Sequence, residues 1–148
     1  MNNIIKKNQR EKNNEYTKLL EVQKKDHRFL YDMLKNRNPI VNISHKNMPS
    51  YKKHVEFIES KPYSKWYIIF YKNNKAGSIY LSKNNEIGIF LKNGFENKGI
   101  GQNALNILKQ KNPRDRYLAN VNPKNKKSEE FFKKNNFKLI QHTFELMT

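Results

Sequence analysis

An α/β domain, with a mixed but mostly antiparallel central sheet flanked by about four helices, is the architecture this sequence predicts. Three observations lead there. Apolar residues recur at helical spacing in two early segments, then fall into short aromatic and β-branched runs between Lys65 and Leu91. Helical spacing returns after Gly99. The chain has 148 residues, enough for one well-buried core, and shows neither an internal repeat nor a second-domain linker.

The elements follow in order. Residues 1–14 are polar and aperiodic and read as a mobile lead-in, leaving 15–148 as the domain. Tyr16 to Val22 suits a first strand. Asp26 is placed to cap a helix carrying Phe29, Leu30, Met33 and Leu34, which must end before Pro39. Pro49-Ser50 starts a second helix, with Tyr51, Val55 and Ile58 on one stripe. Lys65–Tyr71, Ala76–Leu81 and Glu86–Leu91 are three strands separated by hairpin turns at Lys72-Asn-Asn-Lys75 and Lys83-Asn-Asn85. A third helix places Ile100, Ala104, Ile107 and Leu108 together and stops at Asn112-Pro113. Tyr117–Val121 reads as another strand. Asn125 starts a fourth helix with Ser128, Phe131, Phe132 and Asn135 inward, and Asn136 suits its left-handed end. Phe137–Leu146 closes the chain as one or two strands.

Composition excludes several classes. There is no cysteine, hence no disulfide framework and no thiolate metal site. The start, Met-Asn-Asn-Ile-Ile-Lys-Lys, is too polar for a secretory signal, and no apolar run approaches the ~20 residues that span a bilayer. A soluble cytoplasmic protein without a membrane partner is the expectation. The mean hydropathy is −1.01 and the formal charge +17. Such a charge attracts polyanions. Yet lysine and asparagine are abundant throughout and alanine occurs only at positions 76, 104 and 119, a bias that A+T-rich coding also produces. Nucleic acid is therefore not the expected partner; anionic small ligands remain attractive.

The densest chemical signal is Glu86 to Leu105. An apolar strand enters the turn Lys98-Gly99-Ile100-Gly101, which opens a helix. Two glycines let a ligand approach the backbone, and the first helical N–H groups point outward unpaired, as a phosphate or pyrophosphate requires. The later run Asn120-Val-Asn-Pro-Lys-Asn125, continuing through Ser128 to Phe137, pairs a strand with a helix. These two signatures in this order resemble the GNAT superfamily of acetyl-CoA-dependent N-acetyltransferases. The glycine turn is similar to the family's Gln/Arg-x-x-Gly-x-Gly/Ala pyrophosphate motif, with Glu96 where the motif has Gln or Arg. The run from Asn125 is similar to the family's Asn-x-x-Ser/Ala helix start. The likeness covers roughly residues 16–146.

That resemblance implies transfer of an acetyl group from acetyl-CoA, as co-substrate and without a metal, to a primary amine by direct attack. Ile89, Phe90 and Leu91 would offer backbone groups to the pantetheine arm, one N–H polarising the thioester carbonyl. Lys98, Gly99, Ile100 and Gly101 would hold the pyrophosphate. Asn125 serves as an N-cap, a cofactor contact or both. Glu86 and His54 are the candidate bases, and a pKa near 7 favours histidine chemically while position favours Glu86. His45 is a candidate acceptor-site residue. The general-acid tyrosine frequent in the family falls at Phe132, so the leaving thiolate must take its proton elsewhere. The acceptor expected is a small-molecule amine, with an amino-sugar nucleotide as the favoured class and a homodimer as the assembly. Protein N-terminal or lysine acetylation is the competing substrate class. A non-catalytic basic RNA-binding module on the same framework is the other function, although no RNA-recognition aromatic motif is present.

Overall fold

A computed structural model describes residues 16–38 and 47–148, together with Asn3 and Ile4. The predicted lead-in otherwise lies outside the described residues. Four strands, β1 (Thr17–Glu21), β2 (Lys65–Tyr71), β3 (Asn74–Leu81) and β4 (Ile87–Leu91), form one antiparallel sheet in chain order. Among the described residues four α-helices of a full turn or more accompany it: α1 (His27–Lys35), α2 (Tyr51–Glu59), α3 (Ile100–Lys111) and α4 (Lys126–Lys134).

Side-chain alternation along the strands separates two cores. Tyr67, Ile69, Tyr71, Ile79, Leu81 and Ile87 face α3, which contributes Ile100, Ala104, Leu105 and Leu108. Ile68 faces the other way and packs with Leu30 of α1 and Ile58 of α2, flanked by Trp66 and Phe70. The sheet is thus sandwiched between α1–α2 and α3, and each face buries the apolar stripe of a helix. On α3 the inward residue is Leu105, with Ile107 only half-buried; on α2 it is His54 beside Ile58, while Tyr51 is exposed.

Local chemistry sets the boundaries. The β2–β3 turn closes on two residues, Lys72 and Asn73, with φ of 48° and 64°, the left-handed pair that matches strand twist. This lets β3 begin at Asn74, earlier than its apolar run. Ser50 caps α2 by accepting from the Lys53 N–H at 3.2 Å. Asp26 does not cap α1 with its side chain. Its carboxylate instead accepts from the Gln23 N–H at 2.8 Å and pairs with Lys75 Nζ at 2.7 Å, tying the start of α1 to the β2–β3 hairpin. Asn136 ends α4 at φ 67°, with Phe137 N–H bonded to the Phe132 carbonyl and Asn136 N–H to that of Lys133. Phe132 and Phe137 supply the accompanying ring contact at 5.0 Å.

Two predicted strands are not formed. Around Tyr117–Val121 there is only a single parallel bridge, Leu118 to Glu86, because the Tyr117 hydroxyl is drawn back to the Asn112 carbonyl at 2.7 Å and the chain then leaves β4. Phe137–Leu146 has no regular structure, and Leu139, Ile140, Phe144 and Leu146 are exposed. No described strand lies beside it, and a lone strand has no ladder to stabilise it. The parallel component of the sheet is therefore confined to Leu118.

Candidate functional site

The bridge at Leu118 shapes the outer edge of β4. Ile87 N–H donates outward to the Leu118 carbonyl at 2.7 Å, and Leu118 N–H donates to the Asn85 carbonyl. Backbone groups alternate direction along a strand, so Ile89 and Leu91 also turn their N–H groups outward, while Phe90 turns its own toward β3. Beyond Leu118 no strand continues the ladder among the described residues. Within the predicted trio, Ile89 and Leu91 thus turn their N–H groups to the outer edge, and Phe90 turns its N–H toward β3 and its side chain to the face away from Ile89.

The chain then crosses an exposed turn containing Glu96 and Lys98 and enters α3 at Gly99, whose φ is 76°. A Cβ placed on Gly99 would meet no atom within 4 Å, so the turn is open in front of its backbone. The first helical bond runs from Asn103 N–H to the Gly99 carbonyl at 3.1 Å, leaving the N–H groups of Ile100, Gly101 and Gln102 ahead of the ladder. No side chain of the Gly99 cap reaches them. Gly101 differs from Gly99. Its missing side chain points toward Phe131 at 3.6 Å and Ile89 at 3.9 Å, into the seam between β4 and α4. Asn125 caps α4, its Oδ1 accepting from the Ser128 N–H at 3.2 Å. Phe132 is buried against Phe131 and Phe137 and faces the core.

On the α1–α2 face, Phe90 is joined by three residues that sequence reasoning did not single out: Arg37, Tyr63 and Tyr80. Tyr80 lies directly across from Gly88 in the β3–β4 register, and its ring occupies the space a Cβ would fill, 2.2 Å away. Tyr63 stacks on Tyr80 with centroids 3.8 Å apart and planes within 2°. The Arg37 guanidinium lies 3.7 Å from the centre of the Phe90 ring. Burial pushes both phenols above their ordinary range, so both stay protonated at neutral pH; the Arg37 charge opposes the shift of each. Glu86, half-buried at the head of β4, adds its charge on the Tyr80 side. No local signal announces this cluster, since its members come from two loops and two strands. The cross-strand pairing of Tyr80 with a glycine was its only trace in the sequence.

His54 is buried, with its ring 5.6 Å from that of Tyr31 and 6.2 Å from that of Phe57, and its Nδ1 has no hydrogen-bond partner. Burial first, then the positive charges of Arg37 and His27, hold its pKa below the usual imidazole range. The unfolded chain therefore binds the proton more readily. The stability that neutral His54 contributes is fully present above pH ~6.5 and falls as the pH drops below that toward the folded value. We expect the melting temperature to decline between pH 7 and pH 5, and His54→Leu to flatten that decline. An unchanged pH slope in the variant would count against this assignment. His45 lies outside the described residues. Among those residues no group of histidine, aspartate and glutamate side chains is placed to hold a metal.

No family model matches the sequence, and no curated protein matches it by sequence. Solved structures do match its fold. A domain from Methanocaldococcus jannaschii aligns over 87% of this chain and 92% of its own length, with 20% identity and a TM-score of 0.75. The spermidine N-acetyltransferase of Vibrio cholerae, solved with CoA and spermine, aligns over 90% and 88%, with 17% identity and a TM-score of 0.75. A Salmonella typhimurium acetyltransferase that modifies the N-terminal serine of ribosomal protein L7/L12 aligns over 82% and 80%, with 20% identity and a TM-score of 0.63. Matched over most of its length by such structures, and carrying the glycine turn after β4, this chain has the fold of the GNAT N-acetyltransferases.

Proposed function

We propose that the protein is an N-acetyltransferase that moves an acetyl group from acetyl-CoA to a primary amine by direct attack. The observation that carries this reading is the conjunction at the end of β4. Outward N–H groups on Ile89 and Leu91 meet no strand among the described residues, and the turn that follows presents the N–H groups of Ile100, Gly101 and Gln102. These donors fit the amide-bearing arm and the pyrophosphate of one elongated ligand. Acetyl-CoA supplies the thioester. Ile89 or Leu91 would donate to the oxyanion as it develops, and Lys98 would add charge beside the phosphates. Asn125, already the cap of α4, would offer its remaining polar atoms to the same ligand.

Glu86 is the base we favour. It takes the ammonium proton through water, so that the neutral amine attacks, and the departing thiolate is protonated from solvent because Phe132 has no proton to give. His54, without a partner for Nδ1 but packed among rings, stands as the other candidate. The acceptor is a small-molecule amine, and we favour an amino-sugar nucleotide, whose phosphates suit a chain of charge +17. The matched structures act on a polyamine and on a protein N-terminus, which sets the competing acceptors. Among the described residues no helix is long and apolar enough to cross a membrane, and we propose a cytoplasmic homodimer.

The test is a thermal melt with acetyl-CoA. At about 100 times its Kd a ligand stabilises the native state by ~2.7 kcal/mol, or roughly 5–10 °C for a domain of this size. No shift up to millimolar acetyl-CoA, together with salt-sensitive RNA binding, would replace this reading with the RNA-binding one.

A further inference from the structure

Residues 138–147 follow α4 without joining any helix or strand, yet their side chains are ordered as in a strand. The rings of His142 and Phe144 lie 6.5 Å apart, and Gln141 Nε2 donates to Thr143 Oγ1 at 3.4 Å. Each contact joins residues two apart, as in an extended, pleated chain whose successive side chains take opposite sides. One side then carries Ile140, His142, Phe144 and Leu146, the pattern of a half-buried strand. Nothing buries it. Ile140 is 66% exposed, Phe144 92% and Leu146 88%, with Leu139 and Met147 exposed on the other side. Among the described residues no backbone hydrogen bond reaches 138–147, so this stretch lacks both a ladder and a cover.

The same molecule offers a complementary edge. Leu118 directs its own N–H and carbonyl to the β4 side, and those of Ala119, one residue on, turn away from the sheet. No described backbone group meets Ala119 there. Charge then selects the partner. At +17, two copies of this chain repel one another over most of their surface, but residues 139–148 contain Glu145 and no lysine or arginine. Here two copies can meet without repulsion. Size agrees as well. Five exposed apolar side chains, each removing on the order of 100 Å² from water in both copies, approach with the strand backbone the ~1,200 Å² at which specific interfaces begin.

We propose that residues 138–147 are exchanged between two copies of this chain, each segment adding as a strand to the other's sheet beyond Leu118. Reciprocal exchange completes both ladders and buries both apolar sides in one closed, two-fold assembly. It gives the homodimer its interface and does not depend on the acetyltransferase reading, because its readouts are mass and amide protection rather than acetyl-CoA.

Sedimentation of the full chain should give twice 17.8 kDa. Phe144→Asp combined with Leu146→Asp should raise the dimer dissociation constant at least tenfold, and both sites are exposed, so the helix content read by circular dichroism should not change. Amide hydrogen exchange across 139–147 should be slow in the wild type and fast in the double variant. Because the chain has no cysteine, Ala119→Cys and Thr143→Cys copies can be mixed with a short bismaleimide, which should link one of each. A wild-type protein that stays monomeric at high micromolar concentration overturns the proposal, whether its 139–147 amides exchange fast, as a free segment, or slowly, as one paired within its own chain. A dimer that both aspartates leave intact overturns it too. So does a link between two Thr143→Cys copies with none in the mixture, which would pair the segments with each other instead of with the sheet.

Discussion

Gly77→Ala is expected to destabilise the protein by about 3 kcal/mol, near the upper end for a single substitution. A Cβ at this position would lie 2.1 Å from the Phe90 carbonyl oxygen and 3.0 Å from the Leu91 Cα. Both obstacles are backbone, so no rotamer change relieves them and β4 must shift as a body. Gly88→Ala offers the contrast. Its new Cβ meets the Tyr80 ring, a side chain that can swing aside. Because the displaced segment in Gly77→Ala includes Ile89 and Leu91, acetyl-CoA stabilisation should disappear along with the lost stability. Urea denaturation measures the first effect and ligand melting the second. A Gly77→Ala protein within ~0.5 kcal/mol of wild type would show that the strands do not approach this closely in solution.

The other large effect is expected at the glycine turn. Gly99→Val should lower acetyl-CoA affinity at least tenfold, by placing a branched side chain in the open space ahead of the first α3 amides. It also carries a strain cost, because φ is 76° there. Gly94→Val supplies the control. Gly94 has φ 94°, is equally open and lies in the same loop, yet it precedes the turn rather than opening the helix. Both variants should lose about 1–2 kcal/mol of stability. Only Gly99→Val should lose its response to acetyl-CoA. Equal losses of response would mean that loop strain, and not ligand approach, governs the effect.

Elements set by local chemistry were legible in the sequence. The left-handed Asn136, the Ser50 cap, the three strands from Lys65 to Leu91 and the glycine turn each depend on residues within a few positions of one another. What could not be read depends on distant partners. Whether Tyr117–Val121 pairs is decided by a hydroxyl bond to the end of α3, and Phe137–Leu146 can form a strand only if an edge lies beside it. The α1–α2 face was hidden for the same reason. Arg37, Tyr63 and Tyr80 meet only after two helices and a hairpin have docked, and Tyr80 looks like any other strand tyrosine. Gly77 was equally silent, since its need for hydrogen in place of a methyl is imposed by the strand beside it.

The asparagine content, which coding bias alone would explain, has a use in the folded chain. Among the described residues six other than glycine adopt positive φ, and four of them are Asn73, Asn85, Asn97 and Asn136. Asparagine tolerates that conformation better than most side chains, through hydrogen bonds to its own backbone. Each such turn leaves the unfolded chain with fewer conformations to surrender than a glycine would. A chain with five glycines in all can thus keep some of them for places where even asparagine fails, such as the contact at Gly77. The substitution vocabulary available to this protein is therefore asymmetric: its asparagine corners can drift toward glycine, but a glycine hemmed in by backbone, as Gly77 is, cannot drift toward asparagine.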